Sequence, residues 1–365
     1  MIVLDAVAFQ PSLQVPHSIK YFWQSIISEW VKSGLSQDFV VLVRESQHER
    51  FPDDTIVALI PDYFYGDSES DHVGLQSACD QVNAKIFIST FYTYPLSTPS
   101  LTVVYSIDNI NERPSSLAAQ EKHNSILNAS AFACPSKWVA SDLMSNYPGI
   151  SEKQVNIIYP GLHHDLKPPS PLKIRKFKEE RNLERPYIIF RSGEGESRKA
   201  ALNSLIEGLG ELASGSVPEI VILSVEGSGV DVPLDSLLDF SKPVRSRIHE
   251  LKLALDELPA LYTGALALFE TEPELGIGNY LLEVLRCGCP VVILGKNMSH
   301  SEAEVTRPWM EISLDPHVIA QMLDKLRDQK YRNTLSMQGI DYTKDMTWEK
   351  AAGQMWSFIN SVLKT

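Results

Sequence analysis

Short segments rich in β-branched and aromatic residues alternate with helical patterns along this chain. The first series consists of Ile2–Phe9, Phe39–Arg44, Thr55–Ile60, Ile86–Ser89, Thr102–Ser106, Ser130–Cys134 and Val155–Tyr159. The second series consists of Tyr187–Phe190, Glu219–Ser224, Arg247–Leu251, Leu266–Phe269 and Pro290–Leu294. Strands separated by helices are typical of βαβ units, so the sequence predicts an α/β fold with mostly parallel sheets.

Two such series within 365 residues predict two domains. Between them lies a polar segment, residues 163–185, with three prolines from Pro168 to Pro171, a composition that is typical of linkers. We therefore predict an N-terminal domain over residues 1–165, a linker over 166–185 and a C-terminal domain over 186–340.

The clearest helical pattern precedes Gly34, which stands where a C-terminal cap belongs. Its apolar residues follow the spacing of one helix face: Ile19, Phe22, Trp23, Ile26, Ile27, Trp30 and Val31. We interpret this aromatic stripe as core rather than as a cofactor site.

The composition limits the partners of this chain. A net charge of −13 has the wrong sign for binding a nucleic-acid backbone or an anionic membrane surface. Nine acidic residues lie within 45–80, where we expect a solvated surface rather than a site for a cationic partner. The first ten residues lack the positive charge of a secretory signal, and no apolar run approaches the ~20 residues of a membrane span. We expect a cytoplasmic protein without stable membrane association.

The four cysteines lie in apolar stretches, and their spacing does not fit a zinc site. We expect buried, reduced thiols and no metal. The sequence also lacks the glycine-rich dinucleotide fingerprint, the P-loop, the HExxH zinc motif and the GxSxG nucleophile motif.

Two segments of the second half suit an anionic ligand. Residues 190–199 leave a strand through a glycine turn and bring Arg198 and Lys199 to a helix N-terminus. Charge-assisted hydrogen bonds and the helix dipole favour a diphosphate at such a place. In the second segment, Phe269–Val292, two glycines precede a helix, and Glu283 lies about one turn inside it. A carboxylate there can accept ribose hydroxyls, or it can simply interact with the helix dipole.

Residues 275–292 resemble the signature E-G-F-G-L-P-x-L-E-A-M-A-x-G-x-P-V-V of the family-4 glycosyltransferases with the GT-B fold (glycosyl transferases group 1). R-K-A at 198–200, D-E-L-P-A-L-Y-T-G-A at 256–265 and W-E-K-A-A at 348–352 also resemble motifs of this family. The resemblance implies two Rossmann-like domains facing each other across a cleft. It also implies that residues 341–365 form a helix that crosses back to the N-terminal domain.

The same resemblance implies a function. The C-terminal domain would bind a nucleotide-diphospho-sugar donor and the N-terminal domain an acceptor. Transfer would need neither a metal ion nor a separate cofactor and would usually retain the configuration of the anomeric carbon. Developing negative charge on the leaving diphosphate would be stabilised by fixed cations and amides.

Site residues follow from the resemblance position by position. Arg198 and Lys199 would neutralise the diphosphate, and Glu283 would accept the ribose hydroxyls. His249 and Leu251 would border the base. Further donor contacts would come from a set of residues around the start of the helix: Gly276, Gly278, Asn279, Tyr280 and Leu281.

Three positions depart from the family pattern. Leu275 replaces the first carboxylate of E-x₇-E, Ile107 replaces the histidine of an H-D pair, and P-H-S-I-K-Y at 16–21 replaces a glycine-rich loop. We predict Glu274 and Asp108 as the remaining catalytic carboxylates. His17, Ser18 or Lys20 would supply a hydrogen-bond donor in place of the glycine loop, or this subsite is closed.

Two lost charged hydrogen bonds would remove about 10³–10⁵ in rate unless they are compensated. The favoured function is glycosyl transfer to an unidentified soluble acceptor. The alternatives are a catalytically impaired GT-B homologue acting as a binding or partner subunit, and a two-domain protein that acts on a different ligand.

Overall fold

A computed structural model describes residues 1–48, 50–106, 116–191, 196–213, 217–225, 247–271, 280–295 and 308–364. The chain divides into two compact units. The first contains residues 1–161 and 346–365, and the second contains residues 162–274 and 280–345.

The first unit contains a sheet of seven parallel strands. The strands are β1 (Ile2–Asp5), β2 (Phe39–Arg44), β3 (Val57–Ile60), β4 (Ile86–Ser89), β5 (Ser100–Val103), β6 (Ala131–Cys134) and β7 (Val155–Ile157). Their order in the sheet is β3-β2-β1-β4-β5-β6-β7. The described helices are α1 (His17–Lys32), α2 (Ser68–Gln81), α3 (Leu117–Asn128), α4 (Lys137–Asn146) and, near the end of the chain, α11 (Trp348–Val362).

The second unit contains a sheet of six parallel strands. The strands are β8 (Tyr187–Arg191), β9 (Glu219–Val225), β10 (Ile248–Leu253), β11 (Leu268–Glu270), β12 (Val291–Leu294) and β13 (Trp309–Ile312), in the order β10-β9-β8-β11-β12-β13. The described helices are α5 (Pro171–Glu180), α6 (Glu196–Gly210), α7 (Leu258–Gly264), α8 (Tyr280–Arg286), α9 (Pro316–Lys325) and α10 (Gln329–Thr343).

Both sheets have the strand order of a Rossmann-like domain. The order reverses between β1 and β4 in the first sheet and between β8 and β11 in the second. Such a reversal leaves a crevice at the carboxyl ends of the strands, where open α/β sheets bind their ligands. The prediction of an α/β fold with parallel sheets is confirmed.

Helix α1 is confirmed as a core helix. Its predicted stripe is buried at Ile19, Phe22, Trp23, Ile26, Ile27 and Trp30. Gly34 has φ +76°, and the amides of Gly34 and Leu35 bond the carbonyls of Val31 and Trp30, as in a Schellman cap. The Trp30 indole also donates to the carbonyl of Ala352 in α11 at 3.0 Å, so α11 completes this core.

The sequence predicts a linker over 166–185, and the structure contains helix α5 within this segment. Ser170 caps α5, Pro171 starts it, and Phe177 is buried. The carboxylate of Glu257 binds Arg181 just beyond the helix, and the Lys178 ammonium lies 5.6 Å from the Tyr187 ring centroid. These contacts dock a segment whose composition alone resembles a linker. Strand β13 was also not predicted.

The acidic segment 45–80 is not wholly a solvated surface. Asp71 accepts a hydrogen bond from Arg44, whose guanidinium also bonds both oxygens of Asp5. Arg44 and Asp5 are buried at 1% and 0% exposure. The four cysteines are buried and free, as predicted. No helix among the described residues is long and apolar enough to cross a membrane.

Candidate functional site

Two charged residues stand at the carboxyl ends of adjacent strands in the second unit. Arg191 is the last residue of β8, Glu270 is the last residue of β11, and the parallel register places them side by side. This is the position where the strand order reverses. Glu270 is only 1% exposed, so its charge must be compensated by neighbouring donors.

Tyr280, the first residue of α8, joins these two groups. Its hydroxyl donates to one oxygen of Glu270, and the amide of Thr271 donates to the other at 2.8 Å. The Tyr280 ring lies under the Arg191 guanidinium, with 3.8 Å from Cζ to the ring centroid. Glu270 thus holds Tyr280, and Tyr280 holds Arg191 by a cation–π contact.

The Arg191 guanidinium keeps hydrogen-bonding capacity for a ligand. Among the described residues, none accepts a hydrogen bond from it or forms an ion pair with it. A guanidinium presents five N–H donors in a planar fork, a geometry that matches phosphate and carboxylate groups. The site therefore offers a positioned cation at the sheet edge.

Glu283 lies one turn along α8 from Tyr280, and the apolar residues around it fix the helix in the core: Leu281, Leu282, Val284 and Leu285. Burial raises the pKa of Glu283 to about 7, and the positive charge of Arg191 opposes this shift. The pKa of the buried Tyr262 hydroxyl is raised as well, mainly by burial and then by Glu283. A carboxyl group with a pKa near neutrality responds strongly to any hydroxyl or charge placed beside it.

Arg198 and Lys199 lie in the first turn of α6, the helix that follows β8 in the chain. Lys199 is exposed. Tyr280 and Leu281 are the first two residues of α8, and only Tyr280 contacts Arg191 directly. The structure thus places Arg198 and Lys199 at the start of the helix that follows β8 in the chain.

His249 lies near the amino end of β10, level with Val221 of β9. Its Nε2 is 3.6 Å from Glu219 Oε2, and the structure does not bring it to Arg191 or Glu270. Leu251 is half-buried two residues further along. Ser18 lies in the first turn of α1 in the first unit.

The other predicted site residues lie outside the described residues: Asp108, Glu274, Gly276, Gly278 and Asn279. The departures at Ile107 and Leu275 also fall there. Their roles stay predictions.

Sequence reasoning missed Arg191 and Glu270 because both were counted within or next to apolar strand segments. The signal was present, since each is the charged residue that directly follows a run of buried residues. In a parallel sheet, such a residue lies at the carboxyl edge, where ligands bind.

The fold resembles that of several solved proteins, and a glycosyltransferase is among them. WaaG, a glycosyltransferase involved in lipopolysaccharide biosynthesis, superposes with a TM-score of 0.65 at 12% identity, covering 98% of this chain and 99% of its own. HepE of Anabaena, in complex with UDP-glucose, gives a TM-score of 0.66 at 12% identity and covers 99% of both chains. The chain has the GT-B fold.

The GT-B fold is not restricted to transferases. UDP-GlcNAc 2-epimerase of Neisseria meningitidis, bound to UDP-GlcNAc, superposes with a TM-score of 0.57 at 13% identity, covering 99% of this chain and 100% of its own. The sequence matches no protein-family model and no curated protein. At such identities the likeness establishes the GT-B fold, and function must be argued from the site.

Proposed function

We propose that this protein is a glycosyltransferase that takes a sugar from a nucleotide-diphospho-sugar donor bound to the second unit. The observation that supports this proposal most strongly is the Arg191 guanidinium, held on Tyr280 at the crevice of a parallel sheet. HepE, which has the same fold, was solved with UDP-glucose, and the epimerase was solved with UDP-GlcNAc. Both ligands contain a diphosphate, the group that a guanidinium binds well.

The donor would be held as follows. Arg191, Arg198 and Lys199 bind the diphosphate, and Glu283 accepts the hydroxyls of the ribose. Cleavage of the bond between sugar and phosphate leaves additional negative charge on the diphosphate. Fixed cations stabilise this charge more in the transition state than in the ground state, and that difference accelerates the reaction.

Several finer features belong to this proposal. Transfer is metal-independent, because protein cations neutralise the diphosphate, so chelation by EDTA leaves the rate unchanged. The configuration of the transferred sugar is retained, which NMR of the fresh product tests directly. Glu274 and Asp108 act on the sugar, and the acceptor is a soluble cytoplasmic molecule.

The decisive experiment is calorimetric titration of the full chain with UDP-glucose, ADP-glucose and GDP-glucose. The wild type binds one of them, and Arg191→Gln weakens that binding by about 30- to 1,000-fold, because a charge-assisted contact to phosphate is lost. Arg327→Gln is the matched control, since Arg327 is an exposed arginine of the same unit that pairs with Asp324. Arg327→Gln binds the nucleotide sugar with the affinity of the wild type.

Turnover then separates the candidate functions. Release of nucleotide that depends on an added acceptor supports the transferase. Acceptor-independent conversion of the donor sugar to its epimer would assign epimerase chemistry instead. Tight donor binding with neither reaction would favour the partner-subunit alternative, and equal affinity of Arg191→Gln and wild type would remove Arg191 from the site.

A further inference from the structure

A pocket with a volume of about 280 Å³ lies within the first unit. It opens where the first sheet reverses its strand order, beyond the carboxyl ends of β1, β4 and β5. Five aromatic rings line it: Tyr63, Tyr65, Phe91, Tyr92 and Tyr105. Its volume is near the lower limit for small-molecule sites, so it suits a single ring rather than an extended chain.

Buried hydrogen bonds fix two of these aromatic residues, Tyr105 and Tyr63. The Tyr105 hydroxyl donates to the Thr90 carbonyl at 2.7 Å and accepts the Trp23 indole N–H at 2.6 Å. The Gln10 side chain bonds both the amide and the carbonyl of Tyr63, each at 2.8 Å. These bonds fix the Tyr105 ring and the backbone of Tyr63 before any ligand arrives, so ligand binding does not have to order them.

Tyr92 is held in an unfavourable backbone conformation. Its φ is +59°, in the left-handed region that a bulky residue rarely adopts. The conformation turns the Tyr92 ring into the pocket wall, where its hydroxyl accepts the Tyr105 amide at 3.3 Å. Backbone strain of this kind is concentrated at functional sites.

The Glu121 carboxylate is the unusual feature of this pocket. Glu121 on α3 lines the pocket and is only 7% exposed. Among the residues that the structure describes, no hydrogen-bond donor or cation pairs with this carboxylate. Its charge reaches the neighbouring rings: burial, and then Glu121, raise the pKa of Tyr63 and of Tyr65. A buried carboxylate without a partner is costly, and it accepts hydrogen bonds only.

The positive charge of Lys122 limits which ligands can donate hydrogen bonds to Glu121. Its ammonium lies 5.6 Å from the centroid of the Tyr92 ring and lines the same pocket. A cationic ligand would meet this positive charge, and an anionic ligand would meet Glu121. A neutral ring with hydroxyl groups can donate to Glu121, accept from Lys122 and pack its C–H face against the tyrosines.

We propose that this pocket binds a neutral sugar or cyclic polyol ring, with Glu121 as the residue that accepts its hydroxyl hydrogen bonds. The inference rests on the proposed function, because it assigns this ring as the acceptor of glycosyl transfer. It defines the acceptor class by pocket chemistry, which neither the fold nor the family resemblance specifies.

The test is ligand-observed NMR on the full chain, without donor and with saturating UDP. The probes are methyl α-glucoside, methyl β-galactoside and myo-inositol as neutral rings, choline as a cation and glucose 6-phosphate as an anion. We expect saturable binding of a neutral ring and weak or no binding of the charged probes. Glu121→Gln weakens binding of the neutral ring about tenfold, because a charged hydrogen-bond acceptor is replaced by a neutral one.

The matched control is Glu152→Gln, the same change at an exposed carboxylate of the first unit. It leaves ring binding unchanged. Unchanged titration of Glu121→Gln with the nucleotide sugar that the wild type binds shows that this variant is folded. If Glu121→Gln nevertheless does not fold, Lys122→Met is used. We expect Lys122→Met to weaken binding of the neutral ring and to strengthen binding of choline, because a repulsive positive charge is removed.

Failure of the two proposals is distinguishable. Nucleotide-sugar binding without saturable binding of any neutral ring, with or without UDP, overturns the inference and leaves the proposed function intact. Preferential binding of choline, or ring binding that does not depend on Glu121, also overturns it. Glu121-dependent ring binding in a chain that binds no nucleotide sugar supports the pocket assignment and contradicts the proposed function.

Discussion

Each unit places an arginine at the carboxyl edge of its sheet, and the two arginines have different partners. In the first unit, Arg44 lies between the carboxylates of Asp5 and Asp71, and Asp5 also accepts the Thr93 hydroxyl at 2.6 Å. In the second unit, Arg191 rests on the ring of Tyr280, while the neighbouring carboxylate of Glu270 accepts the Tyr280 hydroxyl. The two arginines stand on different strands of the shared order: Arg191 ends β8, which holds the place of β1, whereas Arg44 ends β2, the neighbour of β1.

This difference shows that an arginine at the carboxyl edge of a sheet does not by itself define a binding site. Arg44 is 1% exposed and is neutralised by acids of its own unit, so it stabilises the first unit. Arg191 rests on an uncharged ring, and no carboxylate among the described residues forms an ion pair with it. Charge pairing within the unit distinguishes a structural arginine from a ligand-binding one.

The largest effect is expected from breaking the first cluster. Arg44→Ala leaves Asp5 and Asp71 buried without their cation, and we expect a loss of about 3–5 kcal/mol in unfolding free energy. Urea denaturation monitored by Trp fluorescence measures this loss. Lys32→Ala removes an exposed pair with Glu29 and costs less than about 1 kcal/mol. If Arg44→Ala also cost less than about 1 kcal/mol, this result would contradict the structural role of Arg44 in the first unit.

A smaller effect that changes with pH is expected at Glu283 in the second cluster. Its pKa is raised from 4.5 to about 7, so the folded state holds its proton more tightly than the unfolded state. Stability is therefore lost as the pH rises from about 4.5 to 7, by up to about 3 kcal/mol. Glu283→Gln removes this loss: the variant melts above wild type at pH 8 and close to it at pH 5.

The same substitution must weaken donor binding if Glu283 accepts ribose hydroxyls. Gain of stability at pH 8 together with weaker binding of the donor identifies a residue kept for function rather than for folding. Glu207→Gln, at an exposed position on α6, serves as the control and changes neither property with pH. A Glu283→Gln variant that melts below wild type at pH 8 would refute the raised pKa.

The smallest effect is expected at Tyr280. Tyr280→Phe keeps the ring under Arg191 and removes the hydroxyl that Glu270 accepts. We expect a loss of about 1–2 kcal/mol in stability and only a few-fold loss of donor affinity. Tyr331→Phe removes a hydroxyl whose one hydrogen bond within the described ranges goes to the sulfur of Met310, and it should be nearly neutral. A larger loss of affinity than that of Arg191→Gln would mean that Tyr280 itself contacts the donor.

Much of the fold could be predicted from the sequence because strand composition and helix periodicity are local signals. The predicted bounds of β2 and β4 agree with the structure, and the buried face of α1 is correct apart from Val31, which is partly exposed. Strand β13 was missed because its four residues are all half-buried and contain no continuous apolar core. Helix α5 was missed because its Pro- and Lys-rich composition outweighed the single buried Phe177.

The sites were harder to predict because their residues meet only in three dimensions. Arg191, Glu270 and Tyr280 come from three segments, and their contact depends on the pairing of β8 with β11. The aromatic pocket combines residues that follow β1, β3, β4 and β5 with Glu121 on α3. No local spacing connects them, and only the strand order brings them together.

The bond from Trp30 to the Ala352 carbonyl spans 322 residues of the chain. A ribosome that adds about 5–20 residues each second needs roughly 15–65 s to make that length. Throughout this interval, the face of α1 that α11 covers has no partner within the nascent chain. The first unit is therefore the first to begin synthesis, and its core is completed only after residue 352 has emerged.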